Sequence, residues 1–221
     1  MRYRTLAIRV VLLAGVLLAG GCATAPSYDY TAYRADPPRS ILVLPPINNT
    51  VEVGAPYVYI STVTRPLAEA GYYVYPVAVV DAFMKENGLP DPADMQSVPL
   101  DKIDDVIGPD AVLYTTIEQW GQKYHVLSSD TTVEVKARLV DTDTGVLLWN
   151  GSAEAVEGSN SGQGGLLAMV IVALVEQIVD TTGDRTHQVA RQANFNMVGD
   201  TTTGLPLGPY NPEHVTDPRR Q

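Results

Sequence analysis

Residues 132–155 read TVEVKARLVDTDTGVLLWNGSAEA, and their period decides the fold class. Val133, Val135, Ala137 and Leu139 alternate with Thr132, Glu134, Lys136 and Arg138. A period of two gives an extended chain one apolar and one wet face. Asp141-Thr142-Asp143-Thr144-Gly145 is dense in turn formers. Leu147, Trp149, Gly151, Ala153 and Ala155 then line one face of a returning strand. The reading is a β-hairpin with Trp149 buried.

Upstream, a strand is expected from Ala111 to about Trp120, and another over residues 40–44, stopped by Pro45-Pro46. Ile47-Asn48-Asn49-Thr50 reads as an exposed loop. Ser61 or Thr64 can cap a helix with Pro66 in its first turn and a stop at Gly71. A strand over 72–77 and a helix over 79–86 follow, then short helices over 92–95 and 101–107. Downstream, residues 158–165 (GSNSGQGG) are a connector. Apolar residues at 167, 170, 171, 174, 175 and 178 form a helical stripe, which continues in more polar form toward Ala193. The expectation is a single α/β domain over 40–198, a mixed sheet in the order β-α-β-α-β-β-β plus a C-terminal helix. Right-handed crossovers make its first three strands parallel and the hairpin antiparallel. Residues 199–221, with four prolines, read as an irregular tail.

The first 21 residues stand apart. Arg2, Arg4 and Arg9 precede an apolar run over 10–18, too short to span a bilayer, and the small residues Ala19, Gly20 and Gly21 lead to Cys22. That is the pattern of a secretory signal peptide. Leu18 to Cys22 also resembles a bacterial lipobox, which implies lipidation (palmitate included) of Cys22, the only cysteine. Ala23 in place of Asp implies the outer membrane by the same resemblance. Two or three acyl chains on one residue give a lasting anchor, where one binds only marginally. Residues 22–39 read as a lipidated flexible tether, reaching at most about 60 Å when stretched. Loss of the leader leaves 12 basic against 25 acidic residues, a net charge of −13. Nucleic acid and anionic headgroups repel such a chain.

Four stretches in order carry a family resemblance: Ile41-Leu42-Val43-Leu44-Pro45-Pro46, Pro66 through Val74, Gly108-Pro109-Asp110-Ala111-Val112-Leu113-Tyr114, and Leu139-Val140-Asp141 through Gly145 to Trp149. From about Ser40 to about Asn211 the sequence resembles the bacterial lipoproteins of the genome-derived neisserial antigen family. The resemblance implies a fold like the amino-terminal domain of TolB, related to peptidoglycan-synthase activator lipoproteins and to the curli-channel lipoprotein CsgG. It further implies a role in a cell-envelope assembly, with a CsgG-like lipoprotein as a partner, and brings no catalytic residues.

No motif carries chemistry. His125, His187 and His214 accompany no recognisable nucleophile. Gly158-Ser159-Asn160-Ser161-Gly162 has Asn where a nucleophile elbow needs Ser. Phosphate loop, HExxH and paired cysteines are missing. The Asp141 loop has Val146 and Ser152 where an EF-hand needs Gly and Glu, so a turn explains it better than calcium. Asp101, Asp104 and Asp105 read as a solvated first helical turn. Neither catalytic residue, metal nor cofactor is expected. The expected site is a protein-binding surface of Asn48, Asn49, Tyr57 and Tyr59, tyrosine being enriched at interfaces. Two functions remain open: an outer-membrane-anchored, non-catalytic binding or assembly subunit, and a periplasmic regulator of a cell-wall synthase. Oligomeric state stays open.

Overall fold

The computed structural model describes residues 28–124, 129–158 and 185–220. The leader, Cys22, His125, the glycine-rich connector and the expected helix at 166–179 lie outside them. In chain order the elements are α1 (Thr31–Ala35), β1 (Ser40–Val43), β2 (Ile47–Asn48), α2 (Ala55–Glu69), β3 (Tyr73–Val74), α3 (Val77–Glu86), α4 (Pro92–Gln96), α5 (Leu100–Val106), β4 (Ala111–Tyr124), β5 (Ser129–Asp141), β6 (Leu147–Gly158) and α6 (Arg185–Gly199). Two 3-10 turns, His214–Thr216 and Pro218–Arg220, end the described chain.

The sheet runs β3-β1-β4-β5-β6. β3, β1 and β4 are mutually parallel, and β4, β5 and β6 antiparallel, which is the mixed α/β arrangement expected. β2 prolongs β1 along β4, pairing Ile47 with Thr116 and Asn48 with Ile117. Asp110 sets the register of the parallel pair. Its carboxylate accepts from the backbone N–H groups of Arg39 (2.9 Å) and Ser40 (2.8 Å) and from Ser40 Oγ, which in turn accepts from the Asp110 N–H.

Alternation along the strands makes two cores. Ile41, Val43, Leu113, Ile117, Val135, Leu139 and Trp149 face α1, α2 and α6. Leu42, Leu44, Val112 and Val140 face Val80 and Met84 of α3, Met95 of α4 and Ile103 of α5. Trp149 is 1% exposed, and its Nε1 donates to the Thr203 carbonyl at 2.8 Å. Its ring lies over Gly151, where any Cβ would collide with it.

Four expectations need correction. α2 begins at Ala55, behind Gly54 and with Pro56 in its first turn, and Pro66 lies inside it rather than in a first turn. The β-branched residues Val58, Ile60, Thr62, Val63 and Thr64 are weak helix formers. Burial of Ala55, Tyr59, Thr62, Val63, Pro66 and Leu67 on one face outweighs that propensity. The expected strand over 72–77 shrinks to two residues, because Pro76 turns the chain directly into α3. Ile47 and Asn48 form a strand, not a free loop. Last, the body does not start at Ser40: Tyr30 and Tyr33 are buried in the core, and Tyr28 donates to Asn150. Of the residues read as tether, 28–39 belong to the fold.

The carboxy-terminal segment has the irregular backbone expected of it but is packed, with Leu205 fully buried. Tyr30 Oη donates to the Gly204 carbonyl at 2.6 Å, Arg34 Nε to the Arg219 carbonyl at 3.1 Å, and Arg220 reaches Tyr33 Oη at 3.3 Å. The Tyr33 and Tyr72 hydroxyls are bonded at 2.6 Å. Burial works against ionisation of Asp217, yet bonds from Arg219 and the Leu207 N–H hold its carboxyl below the ordinary range. Asp200 accepts from Thr202 and Thr203, which lowers its pKa to about 2.

Replacing Trp149 by Ala should cost about 3–5 kcal/mol in urea unfolding, as large buried aromatic deletions do. Gly151→Ala should also destabilise, because the indole above it must move. Asp200 has a folded pKa below its unfolded value of about 3.9. Its contribution is therefore complete above pH 4 and lost as pH falls toward 2. The thermal midpoint should drop across that window, and Asp200→Asn should make the drop smaller.

Candidate partner-binding groove

The turn after β2 is built by its asparagines. Asn48 Oδ1 accepts from the Thr50 N–H (3.1 Å) and hydroxyl (2.8 Å), and its Nδ2 donates to the Glu52 carbonyl at 2.8 Å. Asn49 Nδ2 donates to Glu118 at 3.1 Å. That bond, with the one from Lys136, keeps the half-buried Glu118 carboxyl below its ordinary pKa. The turn holds Val51 and Val53 out in solvent, 100% and 81% exposed. β-Branched apolar side chains this exposed, next to a cavity, mark a surface with unmet apolar area.

Beside this turn lies an open groove of about 710 Å³. Its floor is Pro45, Pro46, Ile47 and Asn48. One wall comes from the start of α2, with Pro56, Tyr57 and Ile60, and the other from Val77, Ala78, Asp81 and Lys85 of α3. Pro90 and Pro92 also line it. Lys85 Nζ pairs with Asp81 at 2.7 Å, which raises its pKa, and stands 6.0 Å from the centre of the Tyr57 ring. Ser61 Oγ donates to the Val58 carbonyl, and Asp91 caps α4 through the Ala93 N–H. The polar side chains of the lining, Asn48, Ser61, Asp81, Lys85 and Asp91, thus already have partners within the protein.

The four expected site residues separate here. Asn48 and Tyr57 line the groove, and Tyr57 is 66% exposed. Asn49 sits just outside, spending its amide on Glu118. Tyr59 is 0% exposed and belongs to the core beneath α2, so it cannot be a contact residue. Two positions along a helix are 200° apart, so Tyr57 and Tyr59 cannot share a face. Burial pushes the Tyr59 phenol well up. Its hydroxyl neighbours that of Thr115, yet neither makes a hydrogen bond. The sequence reading missed Val53, Ile60, Val77 and Asp81. The exposed Val51-Glu52-Val53 run was the available signal, but α3 comes beside it only through the fold.

Asp101, Asp104 and Asp105 do line a shallow pocket with residues 142–145. Among the described residues no group of three His, Cys, Asp or Glu side chains is placed to hold a metal ion. Asp141 spends its carboxylate on the Thr144 N–H and hydroxyl inside the hairpin turn.

The described residues thus form a mixed α/β body with an open, mainly apolar groove beside β2. The chain belongs to the family described as "Putative lipoprotein GNA1162-like", whose model matches residues 28–210. It is 42% identical over 200 residues to "Putative lipoprotein NMB1124/NMB1162" of Neisseria meningitidis serogroup B, covering 89% of this chain and 93% of that one. Among solved structures it is similar to lipoprotein GNA1162 from Neisseria meningitidis, at 46% identity and a TM-score of 0.54, over 63% of this chain and 97% of that one. A fainter likeness, 20% identity and a TM-score of 0.35, links it to the C-terminal domain of LpoB from Salmonella enterica, over 65% of this chain and 92% of that one.

Tyr57→Ala should leave urea stability within about 0.5 kcal/mol of wild type, as exposed substitutions do. Tyr59→Ala should cost about 3–5 kcal/mol. Tyr59→Phe removes a hydroxyl that makes no hydrogen bond and should be neutral or stabilising.

Proposed function

We infer that this protein is a lipid-anchored, non-catalytic binding subunit of a cell-envelope assembly, held on the outer membrane through Cys22. The observation that carries this reading is the groove. Its apolar walls are open to solvent, while Asp81 and Lys85 pair with each other and Asn48, Ser61 and Asp91 bond to nearby backbone. Such a surface can take up apolar area from a partner, but it leaves no free acid, base or nucleophile to act on a substrate.

The position of the anchor supports the subunit reading over the cell-wall-synthase regulator. Tyr28 is already bonded to Asn150 of β6, so no more than residues 23–27 separate the packed body from Cys22. That stretch reaches at most about 20 Å, against the 60 Å of a tether running to Ser40. A body on so short a leash works at its own membrane and does not span toward a distant one. A CsgG-like lipoprotein, anchored in the same leaflet, is a partner within that reach.

Wild-type protein should partition into detergent and incorporate labelled palmitate, and Cys22→Ser should do neither. Photo-crosslinkers placed over the surface in living cells should join it to another envelope protein. A wild-type chain that stays soluble and unlabelled would overturn the anchoring. A body that crosslinks to no protein from any surface would overturn the subunit role.

A further inference from the structure

The groove coincides with a missing place in the sheet. β3 pairs β1 only through Ser40–Tyr73 and Ile41–Val74, and the Tyr75 N–H makes one further bond to the Ile41 carbonyl. The chain then turns at Pro76 into α3. Beyond that point no strand among the described residues lies beside the outer edge of β1 and β2, and there the groove runs, lined by Pro45, Pro46, Ile47 and Asn48.

The backbone of β2 is directed accordingly. The Asn49 N–H bonds to the Ile117 carbonyl across the Asn48–Ile117 pair. In a parallel ladder the residues flanking such a pair face the partner strand, so the N–H and C=O of Asn48 itself point away from β4, toward the open side. Pro45 and Pro46 offer that side no donor. The groove therefore presents one donor and one acceptor between apolar walls, at the spacing of a strand.

Its charge selects among occupants. Glu52, Asp81 and Asp91 stand on or beside the rim, and the single cation in the lining, Lys85, is held by Asp81. The rim is net acidic on a chain that is itself acidic, so a second copy is repelled and a basic partner attracted.

We propose that the groove receives an extended apolar segment of a partner protein, flanked by a lysine or arginine, which adds as a strand along Asn48 in the place that β3 vacates. Alternate side chains of the segment pack between Tyr57 and Ile60 on one wall and Val77 on the other, and its basic residue meets Asp81 and Asp91. This deepens the binding-subunit reading and rests on it.

A random twelve-residue peptide library, panned on the full lipidated chain in nanodiscs, tests the proposal. The selected sequences should alternate apolar and other residues and carry a basic end. The peptide made from their consensus should bind about tenfold or more weakly to Tyr57→Asp, and should weaken with Asp81→Lys and with rising salt. Its binding should slow hydrogen exchange at the Asn48 amide. Thermal midpoints of both variants equal to wild type show that the loss is local. No consensus, a consensus with helical spacing, binding indifferent to Tyr57→Asp, or an Asn48 amide that exchanges as before would each overturn the strand addition. A body that fails in this test yet still crosslinks to an envelope protein in cells keeps the binding-subunit role while losing this groove. One that fails in both loses the role itself.

Discussion

The parallel contact between β1 and β4 is what the remainder of the structure leans on, and a single carboxylate sets its register. Asp110, the residue before β4, binds Arg39 and Ser40 at the entrance of β1, 71 and 70 residues away in sequence. With that register set, Ile41 and Val43 fall on one face and Leu42 and Leu44 on the other, matching the alternation of β4. A slip of one residue would turn every one of those side chains to the wrong core. Both cores, and the line along which β2 continues β1, follow from this one juncture.

The groove exists because two prolines interrupt that line. Pro45 and Pro46 end β1, and β2 resumes the pairing at Thr116. The chain then climbs through a turn stitched by Asn48 and enters α2, while Pro76 sends β3 into α3 after two residues. Two helices thus diverge over a strand edge that neither covers. Proline acts differently at the two places: after Leu44, Pro46 lacks the N–H for the next rung toward β4, whereas Pro76 caps α3 with its φ held at −60°. The cavity is a product of chain connectivity, not of any special residue placed to line it.

Much of the architecture was legible in residue patterns. The hairpin over 132–155, the burial of Trp149 and the short helices bounded by Pro and Gly follow from periods of two and from turn chemistry, and the parallel direction of the early strands from the handedness of crossovers. The failures have a common cause. α2 has a sequence of poor helix formers with an internal proline, and is helical because its buried face pays in packing what its backbone lacks in propensity. The segment 28–39 is polar and proline-bearing, as linkers are, and is ordered through three tyrosines whose partners are in β6, at Tyr72 and in the tail, between 39 and 187 residues away. At the site, the turn residues and Tyr57 were readable as surface. The misassignment of Tyr59 came from treating a helical stretch as a loop, and the α3 wall has no local signal at all.

The meeting of the two ends has a consequence for how the chain matures. Tyr30 and Tyr33, near the start of the described body, complete their hydrogen bonds only with Gly204 and Arg220, 174 and 187 residues later. Contacts of such long sequence separation form late and slow the approach to the native state. A polypeptide still emerging from the ribosome lacks its last segment, so it cannot close this clasp or seal the core beneath it. Final closure of the body therefore waits until the whole chain, from Tyr30 to Arg220, is present at once.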